Sequence, residues 1–261
     1  MKKLLLPLFS ICLITASCGD DDNAKSTNNM SISSCYMVKS NAVKQEDFTS
    51  PSSPIGLYVL SEDGRPYEGN GLFSASLSSG SWSMSSPVYV SKAGKVYSYY
   101  PYRPTDTAPV LSVDAAAQVD LLYSKVPSTI APGSSTLTIK FYHALSRLTV
   151  SVEGEEVTKL SFSSPLACSF NICSGTFTDK AQGVVTVSSG QMFVVPHTAS
   201  TELKITLGSG KEYSYPVSGI EFRSGETCAF QFRLNDNREK LEVLSFSVED
   251  WVEENNYNDY L

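Results

Sequence analysis

Histidine is nearly missing: the 261 residues contain two, His143 and His197. With so few imidazoles, and with no two cysteines at the short C-x-x-C spacing, a zinc centre lacks its usual ligands. Nucleophile machinery is missing too. There is no G-x-S-x-G elbow, no H-E-x-x-H run and no Walker-type loop, and Gly208-Ser209-Gly210-Lys211 lacks both the glycine spacing and the following helix. The carboxylate pairs Glu155-Glu156 and Glu253-Glu254 are sequence neighbours, which on a strand point to opposite faces. No enzyme activity, cofactor or metal is therefore expected. Clustered basic residues are also absent. Twenty Lys and Arg against 27 Asp and Glu give a formal charge of −7, and nothing in the chain matches the basic footprint that a phosphate backbone requires, which excludes nucleic acid as a partner. No long apolar run follows Ile14. No stretch repeats apolar residues at helical spacing across three turns, and only Asp114 to Leu122 fits a short helix.

What is present begins with a leader. Lys2 and Lys3 precede an apolar run from Leu4 to Ile14 and then Thr15-Ala16-Ser17-Cys18. A basic start and a short apolar stretch closed by small residues form a secretory signal, residues 1–17, too short to span a bilayer permanently. Cys18 is the expected new N-terminus, acylated on thiol and amine and holding the chain to a membrane at about 0.8 kcal/mol per buried methylene. Without Lys2 and Lys3 the charge falls to about −9. The triplet Asp20, Asp21 and Asp22 resembles the export signal that sends Bacteroidales-type lipoproteins to the outer face of the outer membrane, so the expected location is the cell surface. Residues 18–30 read as a solvated linker.

Once Cys12 leaves and Cys18 is acylated, Cys35, Cys168, Cys173 and Cys228 remain. An oxidising compartment permits disulfides. Cys168 and Cys173 are close enough in sequence to bridge a hairpin, which would leave Cys35 for Cys228; four buried free thiols are the alternative.

The body of the chain carries 14 Tyr and abundant Ser and Thr, which favour strands. Thr136 to His143 is the clearest: Leu137, Ile139, Phe141 and His143 share one face, with Thr136, Thr138, Lys140 and Tyr142 on the other. The same alternation places Leu148, Val150 and Val152; Leu203, Ile205 and Leu207; and Cys228, Phe230, Phe232 and Leu234 on inward faces. Further strands are expected at Ile55 to Leu60, Val88 to Val90, Val96 to Tyr102, Val184 to Val187, Met192 to Val195 and Leu241 to Val252. Turn signals at Asp63-Gly64, Gly69-Asn70-Gly71, Ala93-Gly94, Gly208-Ser209-Gly210 and Ser224-Gly225 separate them. Many short strands point to antiparallel β-sandwiches, two in tandem, 31–145 and 146–261, or one large sandwich.

Several pieces together resemble the fimbrillin family of Bacteroidales surface lipoproteins. They are Ile55-Gly56-Leu57-Tyr58; Trp82 before Pro87-Val88-Tyr89-Val90; Val96 to Tyr102; Asp120-Leu121-Leu122-Tyr123; Ile139 to Val150; Pro196-His197; and Val248-Glu249-Asp250-Trp251. The resemblance implies two transthyretin-like β-sandwich domains and a pilus (fimbrium) subunit acting in cell adhesion. It also implies removal of the N-terminal strand by a trypsin-like protease and its replacement by a strand from a neighbouring copy or another fimbrial subunit. Such a vacated groove is a template for strand addition. The exchangeable strand would be about Met30 to Val38, with Ile32, Tyr36 and Val38 on one face. Arg65, the first arginine, is followed by Pro66, so the candidate cleavage sites are Lys39 and Lys44; a subunit that keeps its lipid as an anchor is the other reading. Leu241 to Val252 is the better donor strand, since residues 252–261 are acidic and Asn-rich.

Three features remain. His143 and His197 read as core histidines bonded to backbone rather than as ligands or bases. Tyr97, Tyr99, Tyr100 and Tyr102 suggest a surface that stacks on glycans of host or bacterial cells, against a reading in which at least half of them line the core. Thr107, in Asp106-Thr107-Ala108, matches a short O-glycosylation motif.

Overall fold

The computed structural model describes residues 29–38, 45–48, 51–133 and 135–251. Its strands are β1 (Ser31–Val38), β2 (Gln45–Asp47), β3 (Ile55–Ser61), β4 (Leu72–Ser78), β5 (Ser81–Met84), β6 (Gly94–Tyr100), β7 (Val110–Asp114), β8 (Leu122–Tyr123), β9 (Ser128–Ile130) and β10 (Thr136–His143). Eight more follow: β11 (Ser146–Val152), β12 (Val157–Asn171), β13 (Thr176–Val187), β14 (Gln191–Val194), β15 (His197–Leu207), β16 (Glu212–Phe222), β17 (Glu226–Leu234) and β18 (Leu241–Asp250). One 3₁₀ turn, Ala115–Ala117, is capped by the Asp114 carboxylate, which accepts from the Ala116 N–H. The expected short helix is reduced to this turn. None of the helices among the described residues is long and apolar enough to cross a membrane.

Three sheets result. The first has nine strands in the order β2-β1-β10-β8-β6-β3-β4-β5, with β9 also on β6. Its two ends meet, since Phe48 after β2 stacks on Trp82 of β5 at 6.4 Å, and one apolar cluster takes side chains from β1, β3, β4, β6 and β10. The sheet is thus folded over its own core, which shields both faces of the contact from water. The second sheet runs β14-β11-β17-β18 and the third β13-β12-β15-β16, with β7 added on β12. These two enclose the larger apolar cluster.

The strands with the clearest alternation come out as the periodicity dictates. Thr136–His143 is a strand, and Leu137, Ile139, Phe141 and His143 are all buried. Val88 to Val90 does not form a strand; Tyr89 makes one isolated bridge to Asn29 while Val88 and Val90 are buried. The expectation of antiparallel sheets is corrected at two pairings, because β1 lies parallel to β10 and β11 parallel to β17. The two pairs flank the junction between His143 and Ser146, where consecutive strands pass from one core to the next. β7 precedes that junction in sequence yet pairs antiparallel with Ala167 to Asn171 of β12, placing Leu111 and Val113 in the larger cluster.

β6 lies between the two cores. Tyr99 belongs to the larger cluster and Tyr100 to the other. Gly56, opposite Tyr99 in the ladder, has no room for a side chain, because a Cβ there would lie 2.1 Å from Cε1 of the Tyr99 ring.

Candidate functional site

The expected site is a strand and the groove that holds it. β1 lies between the three-residue β2 and β10. Met30, Ile32, Cys35 and Met37 are buried and share a core with Phe48, Val88, Leu137, Ile139 and Phe141. Backbone bonds hold both ends: Met30 N–H donates to Val88 C=O at 2.9 Å, Ser31 N–H to Ser135 C=O at 2.7 Å, and Phe48 N–H to Cys35 C=O at 2.9 Å. Met30, at the seam between the expected linker and the strand, is part of this core.

The inward face is not the one expected. The register with β10 skips Ser33: Ile32 pairs with Leu137 and Ser34 with Thr138. Ser33 is the extra residue of a β-bulge, and its hydroxyl donates to Leu137 C=O at 2.9 Å. An inserted residue reverses the parity of everything after it. Cys35 and Met37 therefore point inward, and Tyr36 and Val38 are only half-buried. Burial raises the Cys35 thiol pKa far above its usual value.

At the other end of the chain, β18 is an edge strand on β17. Val248, Phe246 and Val243 lie opposite Cys228, Phe230 and Phe232, and directly opposed residues share a face. The β17 residues are buried, whereas Val243, Phe246 and Val248 are 40%, 41% and 45% exposed. The core-side face of β18 thus carries a strip of uncovered apolar side chains. Trp251 follows the strand and is buried; it stacks on His143 with centroids 3.8 Å apart and lies near Phe193 at 5.0 Å, with the Arg147 guanidinium over its ring.

His143 departs from expectation in its partner. It is a core histidine, but its Nδ1 bonds the Asp120 carboxylate at 2.8 Å rather than backbone. His197 does bond backbone, donating from Nδ1 to Val195 C=O at 2.8 Å, and burial holds its pKa below the ordinary histidine value. The two rings belong to different packing groups, His143 with Trp251 and His197 with Phe222 and Phe162.

The disulfide expectation is corrected. Cys35, Cys168, Cys173 and Cys228 are all free. In the β12–β13 hairpin Ala167 pairs with Ala181 and Ser169 with Thr178, so the residues across from Cys168 belong to β13. Cys173 sits in the turn after Asn171 and is not opposite Cys168. Cys35 and Cys228 lie in separate cores. Burial pushes the pKa values of Cys168, Cys173 and Cys228 up to about 11.

The tyrosines make no open platform, since Tyr99 and Tyr100 are buried and Tyr97 and Tyr102 half-buried. Thr107 is exposed in the loop before β7, beside Asp106, whose carboxylate accepts from Arg103 Nε at 3.0 Å. Cys18, Asp20, Asp21, Asp22, Lys39 and Lys44 lie outside the described residues. The bulge in β1 and the uncovered face of β18 were missed from sequence; the only local signal was the run Ile32-Ser33-Ser34-Cys35, which breaks strict alternation.

Long mixed sheets and two apolar cores define an all-β protein, with no cluster of metal-ligating residues among the described residues. Residues 40–251 match the fimbrillin-like family model, and the chain belongs to that family. Among curated proteins none matches by sequence. Solved structures share the fold, among them the following three. A candidate cell adhesion protein from Bacteroides uniformis is 20% identical with a TM-score of 0.64, over 86% of this chain and 98% of that one. A fimbrial protein from Bacteroides vulgatus is 13% identical with a TM-score of 0.52, over 86% and 99%. The tip fimbrial protein Mfa3 from Porphyromonas gingivalis is 10% identical with a TM-score of 0.50, over 78% and 96%.

Proposed function

We propose that this protein is a surface-exposed outer-membrane lipoprotein, anchored through Cys18, that serves as a fimbrial subunit or fimbria-associated anchor in cell adhesion. Its two tandem bodies, 31–145 and 146–261, are read as transthyretin-like, with β7 reaching from the first into the second. Assembly proceeds by strand complementation with copies of itself or other fimbrial subunits. The observation that carries this reading is the seating of β1: Met30, Ile32, Cys35 and Met37 are in the core, yet among the described residues the strands that pair with it are β10 and the three-residue β2. Its removal would uncover an apolar slot and the unpaired edge of β10, which water cannot satisfy as well as another strand can.

The test is digestion of the lipid-free chain with a trypsin-like protease, followed by mass spectrometry and electron microscopy. Cuts at Lys39 or Lys44 with subsequent filament growth are expected of a stalk subunit. An uncut, monomeric product is expected of an anchor that keeps its N-terminal strand. A cut, stable monomer that never polymerises would refute strand complementation.

A further inference from the structure

Trp251 Nε1, Glu226 Oε2 and Asp120 Oδ1 are buried with no hydrogen-bond partner among the described residues, and they belong to one place. A cavity of about 230 Å³ opens where the ends of β1, β10 and β18 meet the turn between β16 and β17. Tyr123, Tyr142, His143, Ser224, Glu226 and Trp251 are among its lining residues. Asp120 is joined to it through His143, whose Nδ1 it holds with its other oxygen. Backbone bonds fix the walls: Trp251 N–H donates to Gly225 C=O at 2.7 Å and Gly225 N–H to Leu145 C=O at 2.9 Å, while Tyr142 and Tyr123 are direct neighbours in the β10–β8 ladder. Trp251 is 2% exposed, with His143 stacked on it and the Arg147 guanidinium over its ring, so the N–H on its edge is what it has left to offer. A buried donor or carboxylate oxygen without a partner is costly. Three gathered at one cavity mark a preformed polar site.

We infer that this cavity binds one neutral pyranose ring. The unpaired set is mixed, a donor on Trp251 and acceptors on Glu226 and Asp120. An ammonium or guanidinium ligand would satisfy the carboxylates but leave the Trp251 N–H unmet. It would also enter beside Lys125 in the wall and Arg223, which lies 3.9 Å from the other oxygen of Glu226. An anion would meet Trp251 but be repelled by Glu226 and Asp250, which face each other across the β17–β18 ladder. A hydroxyl both donates and accepts. Neighbouring hydroxyls of a sugar therefore accept from Trp251 Nε1 and donate to Glu226 Oε2 without bringing a charge into the site. The cavity is several times the ~30 Å³ share of one water, a space for a single ring, and Tyr123 and Tyr142 give it walls that are apolar in body and polar at the tip. This site is separate from Tyr97, Tyr99, Tyr100 and Tyr102. It is present in the uncut chain and does not depend on strand complementation.

Heteronuclear NMR of the uncut, lipid-free full chain tests this. The chain has two tryptophans, Trp82 and Trp251, and so two indole N–H signals, which Trp82→Phe assigns. The probes are glucose, galactose, mannose and N-acetylglucosamine, each titrated to about 50 mM, a range that reveals even millimolar binding. At least one of them is expected to move the Trp251 signal saturably while the Trp82 signal stays in place. Glu226→Gln is expected to weaken that binding by about tenfold or more, since it removes a charge-assisted hydrogen bond. Arg233→Gln, at the far end of β17, is expected to leave it unchanged. Methyl glycosides of both anomers separate two sources of the ring: retained affinity assigns the end of a glycan chain and lost affinity a free sugar, and either supports the inference. A Trp251 signal that moves with no sugar, in a chain whose Trp82 signal shows it folded, means a cavity that holds water alone and overturns the inference. A shift that persists undiminished in Glu226→Gln overturns the site, and one produced by ethylammonium but by no sugar overturns the ligand class. None of these readouts involves cleavage or filament growth, so failure here leaves the proposed function standing.

Discussion

At the scale of single residues, the side chains with ionisable chemistry serve packing. His197 is enclosed by Phe162 and Phe222, its Nδ1–H is donated to Val195 C=O, and its Nε2 is buried with no hydrogen-bond partner among the described residues. A proton on Nε2 would have no acceptor, so burial lowers the pKa. The unfolded chain, with an ordinary value near 6.5, then binds more protons than the fold. The contribution of neutral His197 is complete above about pH 6.5 and is lost as pH falls from there through the folded value. The melting temperature of the native protein should therefore fall between pH 7.5 and 5.5 more steeply than that of His197→Gln, which differential scanning calorimetry would show. The free thiols give a second expectation. Reductant should leave the melting temperature unchanged, and a thiol reagent should label Cys168 and Cys228 only on unfolding, because burial and raised pKa values suppress the thiolate. Loss of stability in reductant would contradict the unpaired assignment.

At the scale of elements, β10 and β1 lie side by side and illustrate the reach of periodicity. In β10 every apolar residue at an alternate position is buried, as expected for a strand with one face on a core. In β1 the same rule selects Tyr36 and Val38, and the fold buries Cys35 and Met37 instead. The bulge at Ser33 is the reason, and a bulge is a property of the pair of strands rather than of one. Met37→Ala should cost about 2–5 kcal/mol, the usual range for emptying a core methionine site, and Tyr36→Ala distinctly less; urea denaturation of the two variants decides between the faces. Equal costs would mean that β1 is not bulged. β12, β16, β4 and β7 were missed as strands for a related reason. Their apolar residues are sparse or broken by Pro165, Pro216 and serines, and they exist because neighbours supply hydrogen bonds for their backbones.

For the whole molecule the decisive feature is β7. Leu111 and Val113, together with Ala115, Leu121 and Tyr123 from the segment that follows, lie in the larger cluster with residues beyond Ala144. A cut at residue 145 would leave the β12 edge bare over Ala167 to Asn171 and remove those side chains from the core. An isolated 146–251 fragment should show no cooperative unfolding transition, whereas the 29–251 body should unfold in a single one; circular dichroism during urea titration distinguishes the two. A fragment as stable as the parent would show that β7 is an ornament of the second core.

The sequence alone determined the class of this protein. Alternation in the strongest strands is read within short windows, where side-chain polarity fixes which face meets water, and that pattern is what marks the chain as all-β. Tertiary structure decided which edges pair: the parallel β1–β10 and β11–β17 ladders, the transfer of β7 onto β12, the bulge at Ser33 and the separation of the four thiols. These depend on contacts between residues up to about a hundred positions apart. A backbone N–H or C=O has the same hydrogen-bonding capacity in every residue, so the sequence does not label which edge it will meet until the cores have closed around it.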